Sequence, residues 1–176
     1  DGIYSEQVGV HLRIAQIRSL ASNGTLTATS SSTLLGQFAS YASSTGFTNP
    51  GLAHLFTGRD LDGNTIGIAY LSSLCSARFG TGVSQIGGSG TAGALIVAHE
   101  IGHNFGAPHD NQSGSACAAT PNGFIMNPSA NGSQTFSTCS VQQMQPVIAD
   151  AACITPAAGG TADLRPVLPV NPISAQ

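Results

Sequence analysis

VAHEIGHNFGAPHD, Val97 to Asp110, concentrates the chemistry of a 176-residue chain that carries little charge elsewhere. It holds three of the five histidines, and His99, Glu100, His103 and His109 fall within eleven residues. The apolar residues around them predict a helix, on which Ala94, Leu95, Ala98, Ile101 and Gly102 can share one packed face. His99 and His103 are then i and i+4, one turn apart on the same side. Gly106 comes three residues after His103. There a glycine can take the left-handed conformation that ends a helix and turns the chain back. That reversal brings His109 toward the first two histidines. Glu100 stands about 100° round the helix from His99, so it suits a group held by the histidines better than it suits joining them.

Three neutral nitrogen donors with an open fourth position are the donor set of a catalytic Zn²⁺. Such an ion lowers the pKa of its water from about 15.7 to roughly 7 and polarises a carbonyl. Glu100 is placed to take the proton of that water and pass it to a leaving amine. A bare H-E-x-x-H can arise by chance on a helix; Gly106 and His109 at these offsets make the signal specific. Met126 follows in GFIMNPS, beside the turn residues Asn127 and Pro128, and is the candidate for a methionine turn beneath the metal. The other methionine, Met144, falls in a later helical pattern and reads as core.

Composition bounds the rest. Hydrophobic residues make up 41% and charged residues 7%, which argues against disorder in the body of the chain. Five Lys plus Arg and a net charge of −3 leave too few cations for a nucleic-acid or anionic-lipid surface. No apolar run is long enough to span a bilayer, and no signal peptide opens the sequence. Four cysteines, Cys75, Cys117, Cys139 and Cys153, are widely spaced without a C-x-x-C pair. They suggest two disulfides and an oxidising compartment, with three pairings open.

Along the chain, Val8, Val10, Leu12 and Ile14 alternate, predicting a strand over 8–17 with His11 on its solvated face. Leu34, Leu35, Phe38, Tyr41 and Ala42 recur at helical spacing, and STGFTNPG breaks that helix. AHLFTG (53–58), TIGIAYL (65–71) and ARFGTGVSQI (77–86) read as short strands. The glycines of the last suggest an edge or a bulge. His54 reads as a satisfied core or edge histidine. GGSGTAG leads into the histidine helix, and SVQQMQPVIADAA (140–152) predicts a helix bent or begun near Pro146. Residues 156–176 are Pro- and Gly-rich and read as a tail or linker. Asn23, Asn111 and Asn131 open N-x-S/T sequons. Strands, helices and a small irregular lobe together suggest an α/β or α+β domain.

The H-E-x-x-H-x-x-G-x-x-H pattern with its later methionine is the metzincin signature. The chain resembles the adamalysin (reprolysin) branch of that group: Asp110 after the third histidine is characteristic of it. DGNTIGIAYLSSLC (62–75), FIMNPS and FSTCS (136–140) resemble further family segments, so the likeness covers roughly residues 3–155. It implies a metalloprotease domain over 1–155, with an upper lobe to about 106 and a lower lobe over 107–155. The implied fold is α/β: a five-stranded, mostly parallel twisted sheet with helices over a cleft. DGIYSEQ resembles the end of the family's first long helix; the strand and most of the helix before it are missing from this sequence.

The resemblance further implies a secreted zinc endopeptidase, expected as a monomer on protein or peptide substrates. His99, His103 and His109 would hold the metal and Glu100 would serve as base. Asp110 would bond backbone in the lower lobe, behind the metal ligands. Cys75 would pair with Cys153, and Cys117 with Cys139. Substrate would add as an antiparallel strand along an edge at about Phe79–Ile86, touching Gly82 and Val83, and Pro128, Ser129 and Ala130 would wall a side-chain pocket. The family's Ca²⁺ site cannot be assigned to residues here. Low charge and few cysteines resemble a microbial secreted relative more than a venom enzyme. A non-catalytic binding module that keeps the zinc site, and an esterase or amidase of small substrates, are the competing readings.

Overall fold

The segments at 53–57 and 81–85 build the sheet against which the site's helix lies. The computed structural model of the protein describes residues 1–45, 51–87, 90–156 and 162–164. Its elements are α1 (Gly2–Gln7), β1 (Val10–His11), α2 (Ser31–Ser44), β2 (Ala53–Thr57), β3 (Gly67–Ala69), β4 (Thr81–Gln85), α3 (Gly90–Asn104), α4 (Thr138–Ala149), β5 (Ile154–Pro156) and β6 (Ala162–Leu164). The mixture of helices and small sheets agrees with an α/β domain. No described helix is long and apolar enough to cross a membrane.

β4 is the middle strand of the order β2-β4-β3. It runs parallel to β2, with Leu55 opposite Val83, and antiparallel to β3, with Ile68 opposite Val83. The expectation that Phe79–Ile86 offers a free edge is therefore corrected. Gly82 and Val83 are paired on both sides, and Val83 is fully buried. The glycine has another cause: a Cβ on Gly82 would lie 2.8 Å from Cε1 of His54. Its absence lets that ring lie against the sheet and bond Ser84 Oγ through Nε2 at 2.8 Å. His54 is thus satisfied within the sheet, and burial lowers its pKa to about 4.

Two cores flank this arrangement. Leu34, Leu35, Phe38 and Ala42 of α2 recur at helical spacing and pack on Ala53, Leu61 and Val83. Tyr4, Val8, Val10, Ala98, Phe105, Met126, Phe136 and Met144 form the other core, which joins α1, α3, α4 and the irregular segment between them. The buried residues of α3 are Ala98 and Gly102 on one side and Glu100 and Asn104 on another; Ala94, expected on the packed face, is exposed one turn earlier. α4 begins at Thr138, well before Pro146, because Ser137 caps it by accepting from the Ser140 N–H.

The strand expected over 8–17 shrinks to Val10–His11, and Ile14 and Ile17 are 79% and 65% exposed. Among the described residues only β6 pairs with this segment, opposite Val10 and His11. The alternation beyond them has no ladder to hold it. The single, mostly parallel sheet expected from the resemblance is accordingly divided into two mixed three-stranded sheets, the second ordered β1-β6-β5. β5 and β6 draw part of the expected tail into that sheet; residues 157–161 and 165–176 lie outside the described residues, as do parts of STGFTNPG and GGSGTAG.

Both disulfides form as the resemblance implies, Cys75 with Cys153 and Cys117 with Cys139. In the chain-entropy model, sequence separations of 78 and 22 correspond to about 4.5 and 3.4 kcal/mol of stabilisation. One bridge fastens the loop after β3 to the chain after α4. The other fastens the loop after His109 to the first turn of α4.

Candidate metal centre

α3 carries His99 and His103 into a cleft of about 1110 Å³, and the chain after Gly106 returns His109 to them. Gly106 has φ +105°, the left-handed region where glycine is favoured. The Nε2 atom of His109 lies 3.1 Å from that of His99 and 3.2 Å from that of His103. These are not hydrogen bonds, because the other ring nitrogens hold the protons. His99 donates from Nδ1 to the Ile125 carbonyl (2.7 Å), and His103 from Nδ1 to the Ala107 carbonyl (2.8 Å). His109 donates from Nδ1 to Gln112 Oε1 (2.6 Å). Three Nε2 lone pairs are left facing one another. Nitrogens held about 2.0–2.1 Å from a tetrahedral ion stand roughly 3.3–3.4 Å apart, so the residues fit a zinc-sized cation. Among the described residues no other group of three His, Cys, Asp or Glu side chains gathers in this way. The Ca²⁺ allowed by the resemblance keeps no assigned site.

Burial lowers the pKa of His99 to about 4, with the Ile125 carbonyl opposing and His109 adding to the shift. Burial, then His99, lowers that of His103 to about 3. Both rings therefore stay neutral, as metal ligands must. Glu100 lines the same cleft, 4% exposed. Burial raises its pKa to about 8, and Oε2 has no hydrogen-bond partner. A buried carboxyl oxygen without a partner is a costly arrangement, and a cation in the cleft would relieve it.

Residues around the histidines hold this geometry, among them Gly67, Tyr4 and Asn104, which the sequence did not single out. A Cβ on Gly67 would overlap the Glu100 carboxylate, with Cδ only 2.7 Å away. A Cβ on Gly102 would lie 2.6 Å from the Met126 sulfur. Met126, fully buried, thus packs directly beneath the helix, and Ile125 before it orients His99. Tyr4 donates its hydroxyl to the Ala98 carbonyl (2.7 Å), tying α1 to the residue before His99. Asn104 Nδ2 bonds the Tyr70 and Thr81 carbonyls and Ser73 Oγ, fixing the end of α3 to the loop after β3 and to the first residue of β4. Asp110 is fully buried. Its N–H bonds the Met126 carbonyl (2.8 Å), and its carboxylate accepts from the hydroxyls of Ser137 and Ser140. It therefore binds the methionine turn through its own backbone N–H, and α4 through its side chain. Pro128, Ser129 and Ala130 line the cleft; Gly82 and Val83 do not.

A family model described as "Metallo-peptidase family M12", of reprolysin type, matches residues 1–137. The chain belongs to metallo-peptidase family M12. Within this M12 chain, 101 residues (56% of it) are 39% identical to snake venom metalloproteinase acutolysin-C of Deinagkistrodon acutus, covering 23% of that protein. Snake venom metalloproteinase TM-1 of Protobothrops mucrosquamatus is 38% identical over 96 residues, 53% of this chain and 46% of the relative. The human disintegrin and metalloproteinase domain-containing protein 9 is 38% identical over 84 residues, 47% of this chain and 10% of the relative. The M12 chain thus spans less than half the length of each. These relatives come from two snakes and a human, so a microbial source finds no support among them.

Proposed function

We propose that this M12 chain is a secreted, monomeric zinc endopeptidase that cleaves protein substrates, with Glu100 as general base. The observation that carries the reading is the convergence of three histidine Nε2 atoms in a cleft shared with a buried carboxyl whose Oε2 has no hydrogen-bond partner. His99, His103 and His109 would hold the ion. Bound Zn²⁺ would supply an acidified water and a Lewis acid for the scissile carbonyl. Glu100 accepts the proton of the attacking water on a carboxylate oxygen and returns it to the leaving amine.

Substrate is held by a different strand from the one the sequence suggested. β3 pairs on one side only among the described residues. Ile66 O and Tyr70 N bond across to Gln85 and Thr81 of β4. By the two-residue period of a strand, the N–H and C=O groups of Gly67 and Ala69 point away from β4. An extended peptide can pair with them as an added strand, while Pro128–Ala130 wall the space for one of its side chains. The disulfides and the secreted venom relatives support an extracellular setting.

X-ray absorption on zinc-loaded protein tests the ligand set. Nitrogen and oxygen neighbours only are expected, and cleavage of a peptide library should stop with a chelator and return with zinc. Sulfur in the metal's inner sphere, or cleavage indifferent to chelator, would sink the reading.

A further inference from the structure

We propose that Gln112 is a positioning residue for the metal centre, holding His109 in the tautomer and ring orientation that metal binding needs. This inference rests on the zinc reading above. The three histidines are not held alike. His99 and His103 give their Nδ1 protons to backbone carbonyls, of Ile125 and Ala107, which belong to the methionine turn and the turn after α3. His109 gives its proton to a side chain, Gln112 Oε1, at 2.6 Å, the shortest of the three contacts.

The direction of the Gln112 amide follows from the site. With the amide nitrogen turned inward, Nδ1 of His109 would have to accept, and the ring proton would sit on Nε2. Nε2 faces two other lone pairs at 3.1 and 3.2 Å. Only an inward Oε1 leaves three lone pairs for one cation.

The loop is built to return Gln112 to a histidine three residues upstream. Asn111 has φ +52°, a left-handed conformation that asparagine tolerates better than most residues. Its N–H bonds the Cys117 carbonyl, and its side chain bonds Asn122. Cys117 is tied to α4 through Cys139. Ser115 Oγ from the same loop donates to the His109 carbonyl. Gln112 also lines the cleft, so one loop touches both the metal ligand and the space for substrate. Groups that hold the far nitrogen of a ligand histidine typically change metal affinity by about 10–100-fold when removed.

The test uses the whole chain with Gln112→Ala, Gln112→Glu and Ser113→Ala, the last as a control on the same loop. Zinc affinity is measured by competition with a chromophoric chelator, and the absorption spectrum of the Co²⁺-substituted protein reports ligand geometry. Gln112→Ala should bind zinc about 10–100-fold more weakly, with a changed cobalt spectrum. Gln112→Glu keeps an acceptor for the Nδ1 proton and should recover affinity to within a few-fold of wild type. Ser113→Ala should match wild type. Equal affinity and identical cobalt spectra for Gln112→Ala and wild type overturn the positioning role alone. Equal losses in the Ala and Glu variants overturn it too, since the acceptor would not matter. A wild-type chain that takes up no zinc overturns both this role and the function proposed above.

Discussion

Gly67→Ala should silence the enzyme while sparing its metal and its fold. Gly67 is held in β3 opposite Ser84, so its Cα cannot readily retreat. An added Cβ would sit 2.7 Å from Cδ and 2.8 Å from Cγ of Glu100. Ordinary carbon–carbon contact begins near 3.5 Å, so the carboxyl must shift by roughly 0.7–1 Å. Misplacing a reacting group by about 1 Å can cost about 100-fold in rate. The yielding partner is the far end of a flexible side chain, and Gly67 has no left-handed backbone to strain. Stability should therefore hold or rise by about 0.4–1 kcal/mol, through a less flexible unfolded chain. The assay is steady-state cleavage of a fluorogenic peptide, with zinc content by elemental analysis and Tm by calorimetry. The expected outcome is kcat lower by about 100-fold with zinc and Tm retained. Adding Gly67→Ala to Glu100→Gln should cost little more, because both act on one carboxyl. A Gly67→Ala enzyme as fast as wild type refutes the reasoning.

Other outcomes follow from the same geometry. Gly102→Ala would press on the Met126 sulfur and on Phe136, so overpacking should destabilise the fold by about 1–3 kcal/mol, read as a lower denaturant midpoint. Met126→Leu nearly conserves volume and should cost under about 1.5 kcal/mol with zinc retained; complete loss of zinc would show the thioether doing more than packing. In metal-free protein, Glu100 near pKa 8 binds its proton more tightly folded than unfolded, which erodes stability as pH rises from about 4.5 to 8. His99 and His103, lowered to about 4 and 3, take up protons only when unfolded, which erodes stability as pH falls below about 6.5. Tm of the metal-free chain should peak near pH 6.5; a steady rise from pH 5 to 8 would contradict this balance.

The histidine stretch was legible because its information is local. Helical spacing fixes His99 against His103, and a glycine at 106 permits the turn that returns His109. The disulfide pairing was legible only through likeness to a family, since four cysteines permit three connectivities. The edge at Gly82 was misread because a glycine in a strand has two meanings, a free edge or a place where another group comes close. The neighbour that decides, His54, is far off in sequence. Gly67, Tyr4 and Asn104 carry no local signal either. Tyr4 matters through a hydrogen bond to Ala98, ninety-four positions along the chain. Gln112 sits close enough to His109 to be guessed at, but only the left-handed turn at Asn111 gives the spacing its meaning. The strand over 8–17 shows the converse: its alternation is clear, yet a strand needs a partner, and among the described residues only Val10 and His11 have one.

The claim on which the rest depends is that a metal held by three histidines and a proton carried by Glu100 together cut peptide bonds. It is tested most directly by comparing wild type and Glu100→Gln, loaded to the same zinc content, on one peptide library followed by mass spectrometry. Gln preserves the shape of the side chain and leaves the three histidines untouched. Wild type should cleave, and the variant should do so about 10²–10⁴-fold more slowly or not at all, with one zinc bound in each. Equal cleavage by the two would remove Glu100 from the mechanism. Equal inertness, with zinc bound in both, would make this a binding module rather than a protease.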